Sequence, residues 1–271
     1  LRFLRRLFPG QEQKVMKPGV PAGQRVYAVG DIHGRADLLD GMRQSIAEDL
    51  EEFPINAPAI VFLGDYVDRG PDSRVVLDRL TASPFPARIV PLRGNHEAML
   101  LQFLNNPETL TTWRHNGGLE TLYSYGLDVR EVRLGRGYEE AAYELRKLIP
   151  AAHLEFLRAT PLSFTSGDYF FCHAGVRPEI DLTEQTEEDL LWIREEFTAS
   201  ERDFGKVVIH GHTPVSEPEI HHNRINIDTG AYISNRLTCL VLEDDRQRFL
   251  TPSWPPGKAR PKALPSVCKR I

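Results

Sequence analysis

An α/β fold built around parallel strands is predicted by three features of the chain. Apolar runs of strand length alternate with segments whose apolar residues recur at helical spacing. The first three runs follow a β-α-β-α-β order, the pattern that gives parallel strands with crossover helices. Five of the runs stop abruptly at a turn carrying carboxylates, imidazoles or arginines beside a glycine. Such stops place polar chemistry at the carboxyl ends of strands, where open α/β sheets bind their ligands.

Arg25-Val26-Tyr27-Ala28-Val29 reads as the first strand, closed by Gly30-Asp31-Ile32-His33-Gly34. A helix is expected over 36–53, because Leu38, Leu39, Met42, Ile46 and Leu50 share one face. Pro54 and Pro58 bracket the turn into a second strand at 59–63, placed centrally in the sheet and ending in Gly64-Asp65-Tyr66-Val67-Asp68-Arg69-Gly70. Pro71-Asp72-Ser73 starts a second helix that buries Val75, Val76 and Leu80. The third strand, 87–92, ends at Arg93-Gly94-Asn95-His96-Glu97.

From about 98 to 160 the pattern becomes helical, and the segment reads as a cap inserted beside the sheet. Residues 98–104 and 139–158 carry the helical pattern, with Pro150 opening a new helix, and 113–118 reads as polar and flexible. Strands at 162–166 and 169–172 form a hairpin through Ser166-Gly167-Asp168 and lead into His173-Ala174-Gly175-Val176. An acidic loop and helix over 183–200 contains Trp192-Ile193-Arg194, and a strand at 206–209 leads into His210-Gly211-His212-Thr213-Pro214. Strands at 225–228 and 237–242 are expected to pair as a β-meander, with Asp244-Asp245 turning the chain back through 246–250. Residues 1–24 read as a basic, flexible lead-in and 251–271 as a loose Pro/Lys-rich tail, leaving one catalytic domain over 25–250.

Composition narrows the function classes. The chain has 271 residues, 41% hydrophobic and 26% charged, as an ordinary globular protein does. A net charge of −5 argues against nucleic acid as a partner. No apolar run approaches the roughly 20 residues that span a bilayer, so stable membrane insertion is not expected. The start, Leu1-Arg2-Phe3-Leu4-Arg5-Arg6-Leu7-Phe8, reads as a surface helix turn. Cys172, Cys239 and Cys268 are odd in number and widely spaced, which gives no disulfide framework and suggests a cytoplasmic protein.

The strand ends collect Asp31, His33, Asp65, Asn95, His173 and His212. Three imidazoles, two carboxylates and an amide oxygen suit Mn, Fe or Zn better than Ca or Mg, which prefer oxygen shells. Six protein ligands suit two ions sharing one bridging carboxylate, with Asp65 the candidate bridge. Two ions about 3.5–4 Å apart can polarise a phosphoryl oxygen and acidify a shared water. Arg69, Arg93 and Arg194 offer planar donor forks to phosphate oxygens. His96 is the candidate general acid and Asp68 the carboxylate that holds its ring. Taken singly, each motif has an ordinary reading as a turn, a helix cap or a satisfied histidine; five at successive strand ends do not arise from packing. His115, His153, His221 and His222 lack this context and read as surface or cap residues, and His210 is a poorer ligand than His212.

The motifs Gly-Asp-Ile-His-Gly, Gly-Asp-Tyr-Val-Asp-Arg-Gly, Arg-Gly-Asn-His-Glu, His-Ala-Gly-Val and His-Gly-His-Thr, in this order over 30–213, resemble the phosphoprotein phosphatase branch of the metallophosphoesterases. The resemblance implies an α/β/β/α sandwich of two mixed sheets with a helical cap insertion, and direct attack by a hydroxide held between two metal ions. It places Asp31, His33 and Asp65 on one ion and Asp65, Asn95, His173 and His212 on the other, preferably Mn, with Fe or Zn as alternatives. It makes His96 with Asp68 the acid, and Arg69, Arg93 and Arg194 the phosphate binders. Asp68 and Glu97 are more similar to protein phosphatases than to the symmetrical diadenosine tetraphosphate hydrolases that share the scaffold. The expected activity is therefore hydrolysis of phosphoserine and phosphothreonine, with phosphotyrosine as a further substrate, in a phosphorylated protein or peptide partner. Gly-His-Thr in place of Gly-His-Gln points to a bacterial-type enzyme. The alternatives are a symmetrical diadenosine tetraphosphate hydrolase and a non-catalytic phosphate-binding module.

Overall fold

The computed structural model describes residues 17–252, so the readings for 1–16 and 253–271, Cys268 included, lie outside the described residues. In chain order the strands are β1 (Gln24–Val29), β2 (Ala57–Phe62), β3 (Arg88–Pro91), β4 (Ser163–Ser166), β5 (Tyr169–Cys172), β6 (Val207–His210), β7 (Glu219–Ile220), β8 (Arg224–Asn226), β9 (Cys239–Glu243) and β10 (Arg246–Leu250). The helices are α1 (Ala36–Glu52), α2 (Ser73–Ala82), α3 (Asn95–Asn105), α4 (Leu110–Trp113), α5 (Gly118–Ser124), α6 (Arg130–Arg133), α7 (Tyr138–Leu148), α8 (Ala151–Ala159), α9 (Glu187–Trp192), α10 (Glu195–Thr198) and α11 (Ala231–Ser234). None of them is long and apolar enough to cross a membrane.

The strands make two mixed five-stranded sheets, ordered β10-β9-β1-β2-β3 and β4-β5-β6-β8-β7. In the first, β1, β2 and β3 are parallel and β9 and β10 antiparallel. In the second, β5, β6 and β8 are parallel between antiparallel edges. Side-chain alternation explains why both sheets read as unbroken apolar runs: each is covered on both faces. Val26, Ala28, Val61, Leu240 and Leu242 meet Tyr169, Phe171, Ile209 and Ile225 between the sheets. The opposite residues of the first sheet, Tyr27, Val29, Ile60 and Cys239, pack under Leu38, Met42, Val76, Leu100 and Leu145. The outer face of the second sheet packs Phe170, Cys172 and Val208 against Leu190, Ile193 and Phe197. The result is the α/β/β/α sandwich. The helices between 95 and 159 share the outer core of the first sheet, where Trp113, Leu122 and Leu157 join α1 and α2 in one cluster.

Four local expectations change. The strands at 225–228 and 237–242 do not form a meander: β8 pairs with β6 in one sheet and β9 with β1 in the other. Both strands are buried almost throughout, and that burial is equally served by either partner. The central strand of the first sheet is β1, with β2 beside it. The stretch 113–118 is built on a fully buried Trp113, whose ring lies 5.1 Å from that of Phe103 and against Gly118. Finally, 17–23 is anchored: Gly19 N–H donates to the Asp168 carboxylate and Val20 N–H to the Asp244 carbonyl, 2.9 and 3.0 Å long, tying together turns of both sheets.

Candidate active site

Asp31 and His33 follow β1, Asp65 follows β2, Asn95 and His96 open α3 after β3, His173 follows β5 and His212 follows β6. All five are parallel strands, so the two sheets deliver these loops to one edge of the sandwich. The loops are held in costly conformations. Among the described residues seven non-glycines have left-handed backbone, and five of them are His33, Asp65, Asp68, Arg69 and His212. Strain of this kind persists where surrounding structure over-determines it, and it concentrates at functional sites. Two glycines let the loops close up. A Cβ at Gly94 would stand 2.2 Å from Asp65 Oδ1, and one at Gly211 2.1 Å from Asp31 Oδ1.

Backbone carbonyls fix the imidazole tautomers. His33 Nδ1 donates to Val67 O at 2.9 Å and His173 Nδ1 to Leu63 O at 2.9 Å, so in each ring Nε2 carries the lone pair. His173 Nε2 then faces Asn95 Oδ1 at 2.8 Å, His212 Nδ1 at 3.2 Å and Asp65 Oδ1 at 3.4 Å. His33 Nε2 faces the other oxygen of the same carboxylate, Asp65 Oδ2, at 3.3 Å. Ligand atoms about 2.1 Å from one ion and at right angles stand about 3 Å apart, so this spacing fits a shared cation. Two buried clusters result, His33 with Asp65 and His96, and Asp65 with His173 and His212. Asp65 belongs to both. Asp31 belongs to neither; its Oδ2 accepts His212 N–H at 3.0 Å, while its buried Oδ1 has no hydrogen-bond partner.

The electrostatics also call for cations. Burial pushes Asp31 upward, reinforced by Asp228 and Asp65. Burial likewise raises Asp228 to about 6 and Glu97 to about 7. Burial works against ionisation of Asp65 too, but His173, His96, His33 and His212 around it hold it well below the usual carboxylate range. Converging lone pairs, an orphaned carboxylate oxygen and crowded buried carboxylates together fit a pair of divalent ions.

His96 Nδ1 meets Asp68 Oδ2 at 2.6 Å, while its Nε2 points back to Asp65 Oδ2 at 3.7 Å. Burial lowers the pKa of this ring, but the charges of Asp65 and Asp68 outweigh it and the net shift is upward. Asp68 is itself fixed by the Trp113 indole N–H at 2.6 Å and the Thr121 hydroxyl at 2.5 Å. Of the three arginines, Arg69 Nη1 lies 3.1 Å from His33 Nε2, and Arg194 Nη1 donates to His212 O at 3.3 Å. Arg93 is engaged elsewhere, donating to Thr160 Oγ1 and Arg158 O, with Glu187 at 3.6 Å.

Trp113, Thr121, Asp228 and Tyr232 join the site although the five strand-end motifs do not contain them. Asp228 follows parallel strand β8, and Asp228-Thr229-Gly230 is the same kind of strand stop that marked the other loops. Tyr232 lies on the rim, its ring 5.3 Å from that of His33 and 5.0 Å from the Arg69 guanidinium carbon. His115, His221 and His222 are exposed, whereas His153 is buried between Tyr125 and Asp78.

His210 faces away from the site, its ring 4.9 Å from that of Phe197, and burial drives its pKa down to about 3. In the unfolded chain it would titrate near 6.5. Below that pH the unfolded state takes up the proton first, so stability is lost as pH falls from about 6.5 towards about 3. At pH 5 the loss from this ring is about 2 kcal/mol. His210→Phe is expected to flatten the change in urea-unfolding free energy between pH 8 and pH 5 by about that amount; an unchanged difference would contradict the assignment.

Several known proteins with similar sequences share one description. Bis(5'-nucleosyl)-tetraphosphatase PrpE (asymmetrical) of Bacillus velezensis is 30% identical over 242 residues, covering 78% of this chain and 86% of that protein. Its Bacillus subtilis counterpart is 29% identical over 234 residues, covering 78% and 87%. A crystal structure provisionally assigned as a diadenosine tetraphosphatase superposes with a TM-score of 0.58 at 20% identity, covering 88% of this chain and 99% of that one. A mutant cold-active protein tyrosine phosphatase superposes at 0.52 and 17% identity, covering 87% and 83%. At such identities the two structures bear on the fold alone.

The expected phosphoprotein partner is corrected by these relatives, which are named for nucleotide substrates. The two residues behind that expectation do not touch the question of substrate. Glu97 accepts the backbone N–H groups of Gly94, Asp65, Tyr66 and Val67 and so binds two loops together. Asp68 is turned inward to His96, Trp113 and Thr121. The calcineurin-like phosphoesterase model matches residues 24–235. The chain belongs to that family of metal-dependent phosphoesterases.

Proposed function

We propose that this chain hydrolyses dinucleoside polyphosphates of the diadenosine tetraphosphate class, cleaving asymmetrically. The observation that carries the reading is the similarity to tetraphosphatases across more than three quarters of the chain. It retains the nucleotide alternative of the sequence analysis while replacing symmetrical by asymmetrical cleavage.

Asp31, His33 and Asp65 would hold one ion and Asp65, Asn95, His173 and His212 the other, with Mn the preferred metal. When bound, the pair polarises the phosphoryl group and lowers the pKa of a shared water. Arg69 and Arg194, beside His33 and His212, clamp the non-bridging oxygens from the two ends of the cluster. Arg93 joins them only after releasing Thr160, the Arg158 carbonyl and Glu187. His96, oriented by Asp68, gives its proton to the departing phosphate oxygen as water oxygen bonds to phosphorus and the phosphoanhydride P–O bond breaks.

The test is product analysis with diadenosine tetraphosphate and Mn²⁺, with and without chelator. The expected result is metal-dependent release of equal amounts of ATP and AMP. Two molecules of ADP would overturn the asymmetry. A higher kcat/KM for phosphopeptides than for dinucleotides would overturn the substrate class.

A further inference from the structure

A substrate with two nucleosides needs surface for its bases as well as for its phosphates. Two aromatic side chains border the ligand cluster. Tyr232 is already engaged by the Arg69 guanidinium and the edge of His33. Trp192 is different. It is the last residue of α9 and 37% exposed, although its neighbours Leu190, Leu191 and Ile193 are buried. Its ring stands 6.3 Å from that of His212 at an interplanar angle of 83°. Among the described residues no side chain hydrogen-bonds its indole N–H, and His212 is its one ring neighbour.

Local chain geometry explains this placement. Leu190 and Ile193 belong to the outer core of the second sheet, which pins the end of α9. The helix stops at Ile193, so Trp192 projects at the rim while Arg194, two residues on, reaches the backbone of His212. One short segment thus presents an aromatic face and a guanidinium beside a candidate metal ligand. A large apolar ring left partly open beside a phosphate-binding edge matches what single nucleotides require: a cation for the phosphate and a π-face for the base.

We propose that Trp192 is the platform on which one nucleobase of the substrate stacks. The assignment rests on the proposed nucleotide activity and adds to it the place of a base. Stacking is tolerant of base identity, because every base has a π-face. Adenine and guanine dinucleotides are therefore expected to have similar KM values.

Two measurements test it, one independent of turnover. Addition of AMP to the metal-loaded enzyme should quench tryptophan fluorescence, and the quench should vanish in Trp192→Phe, where Trp113 and Trp254 remain as emitters. In steady state, Trp192→Ala should lower the ratio of kcat/KM for diadenosine tetraphosphate to that for inorganic tripolyphosphate by about 5- to 150-fold. Trp192→Phe, which keeps a π-face, should restore most of that ratio. An unchanged ratio in Trp192→Ala, or a quench that survives in Trp192→Phe, overturns the platform while leaving the nucleotide activity standing. A wild-type enzyme that turns over no dinucleotide overturns the activity instead, and the AMP quench still reports on Trp192.

Discussion

Asp65→Asn should remove essentially all turnover, at least about 10³-fold in kcat/KM, and with it the bound metal. The carboxylate is the one side chain common to both clusters, with Oδ2 facing His33 and Oδ1 facing His173 at 3.3 and 3.4 Å. An amide in the same place keeps one acceptor oxygen, turns the other position into a donor, and removes a negative charge. The donor would point at a ring lone pair, so one cluster loses a ligand and the other loses charge. Burial is nearly complete, and no water can substitute freely. The measurement is metal stoichiometry by elemental analysis beside kcat/KM for diadenosine tetraphosphate. Asp65→Asn with two ions per chain and activity within tenfold of wild type would remove Asp65 as the bridge. Loss of activity with normal metal content would recast it as an orienting residue. Asp65 also accepts the backbone N–H of His96 through Oδ1, so thermal unfolding should be followed to separate loss of ligand from loss of fold.

The strand ends were legible in the sequence because they obey local rules. An apolar run, a glycine where backbone must approach closely, and a ligand-type residue form a signal contained within about ten residues. Gly94 and Gly211 show the reason, since any side chain there would strike the carboxylates of Asp65 and Asp31. Pro150 likewise announced the start of α8 from fixed backbone geometry. What was not legible depends on contacts between distant segments. The sheet in which β8 or β9 lies is decided by pairing, and both strands are buried along almost their whole length, so burial does not choose between the sheets. Trp113 and Thr121 lie some 50 residues beyond Asp68, 45 and 53 positions away, and nothing in their local pattern points to a buried carboxylate. Glu97 misled for a related reason. Its similarity to the glutamate of protein phosphatases suggested a part in substrate choice, yet its oxygens are fully taken up by four backbone amides. Adjacency in sequence locates a residue; its partners decide what it does.

His96→Asn is expected to act unequally on substrates with different leaving groups, and that inequality tests its role more sharply than the loss itself. A departing nucleotide is a phosphate oxygen whose proton is only weakly held, with a second pKa near 6. A departing alkoxide is far more basic, close to water at about 15.7. Protonation by a general acid, worth about 10²–10⁴-fold in rate, matters most for the worse leaving group. His96→Asn should therefore cost about 10²-fold in kcat on diadenosine tetraphosphate and nearer 10⁴-fold on glycerol phosphate. His96 also stands in one of the two ligand clusters, with Nε2 3.7 Å from Asp65 Oδ2. If its part were to hold metal, both substrates would lose rate equally and one ion would be missing. Asp68→Asn provides the companion measurement. It leaves an acceptor oxygen for Nδ1 but takes away one of the charges that raise the His96 pKa. A raised pKa keeps the acid protonated further into the alkaline range, so removing that charge moves the alkaline limb of the kcat profile to lower pH. Because Asp68 works through the ring, the double variant should be no slower than His96→Asn alone. Additive losses would mean that Asp68 and its Trp113 and Thr121 partners act on the substrate by a separate route.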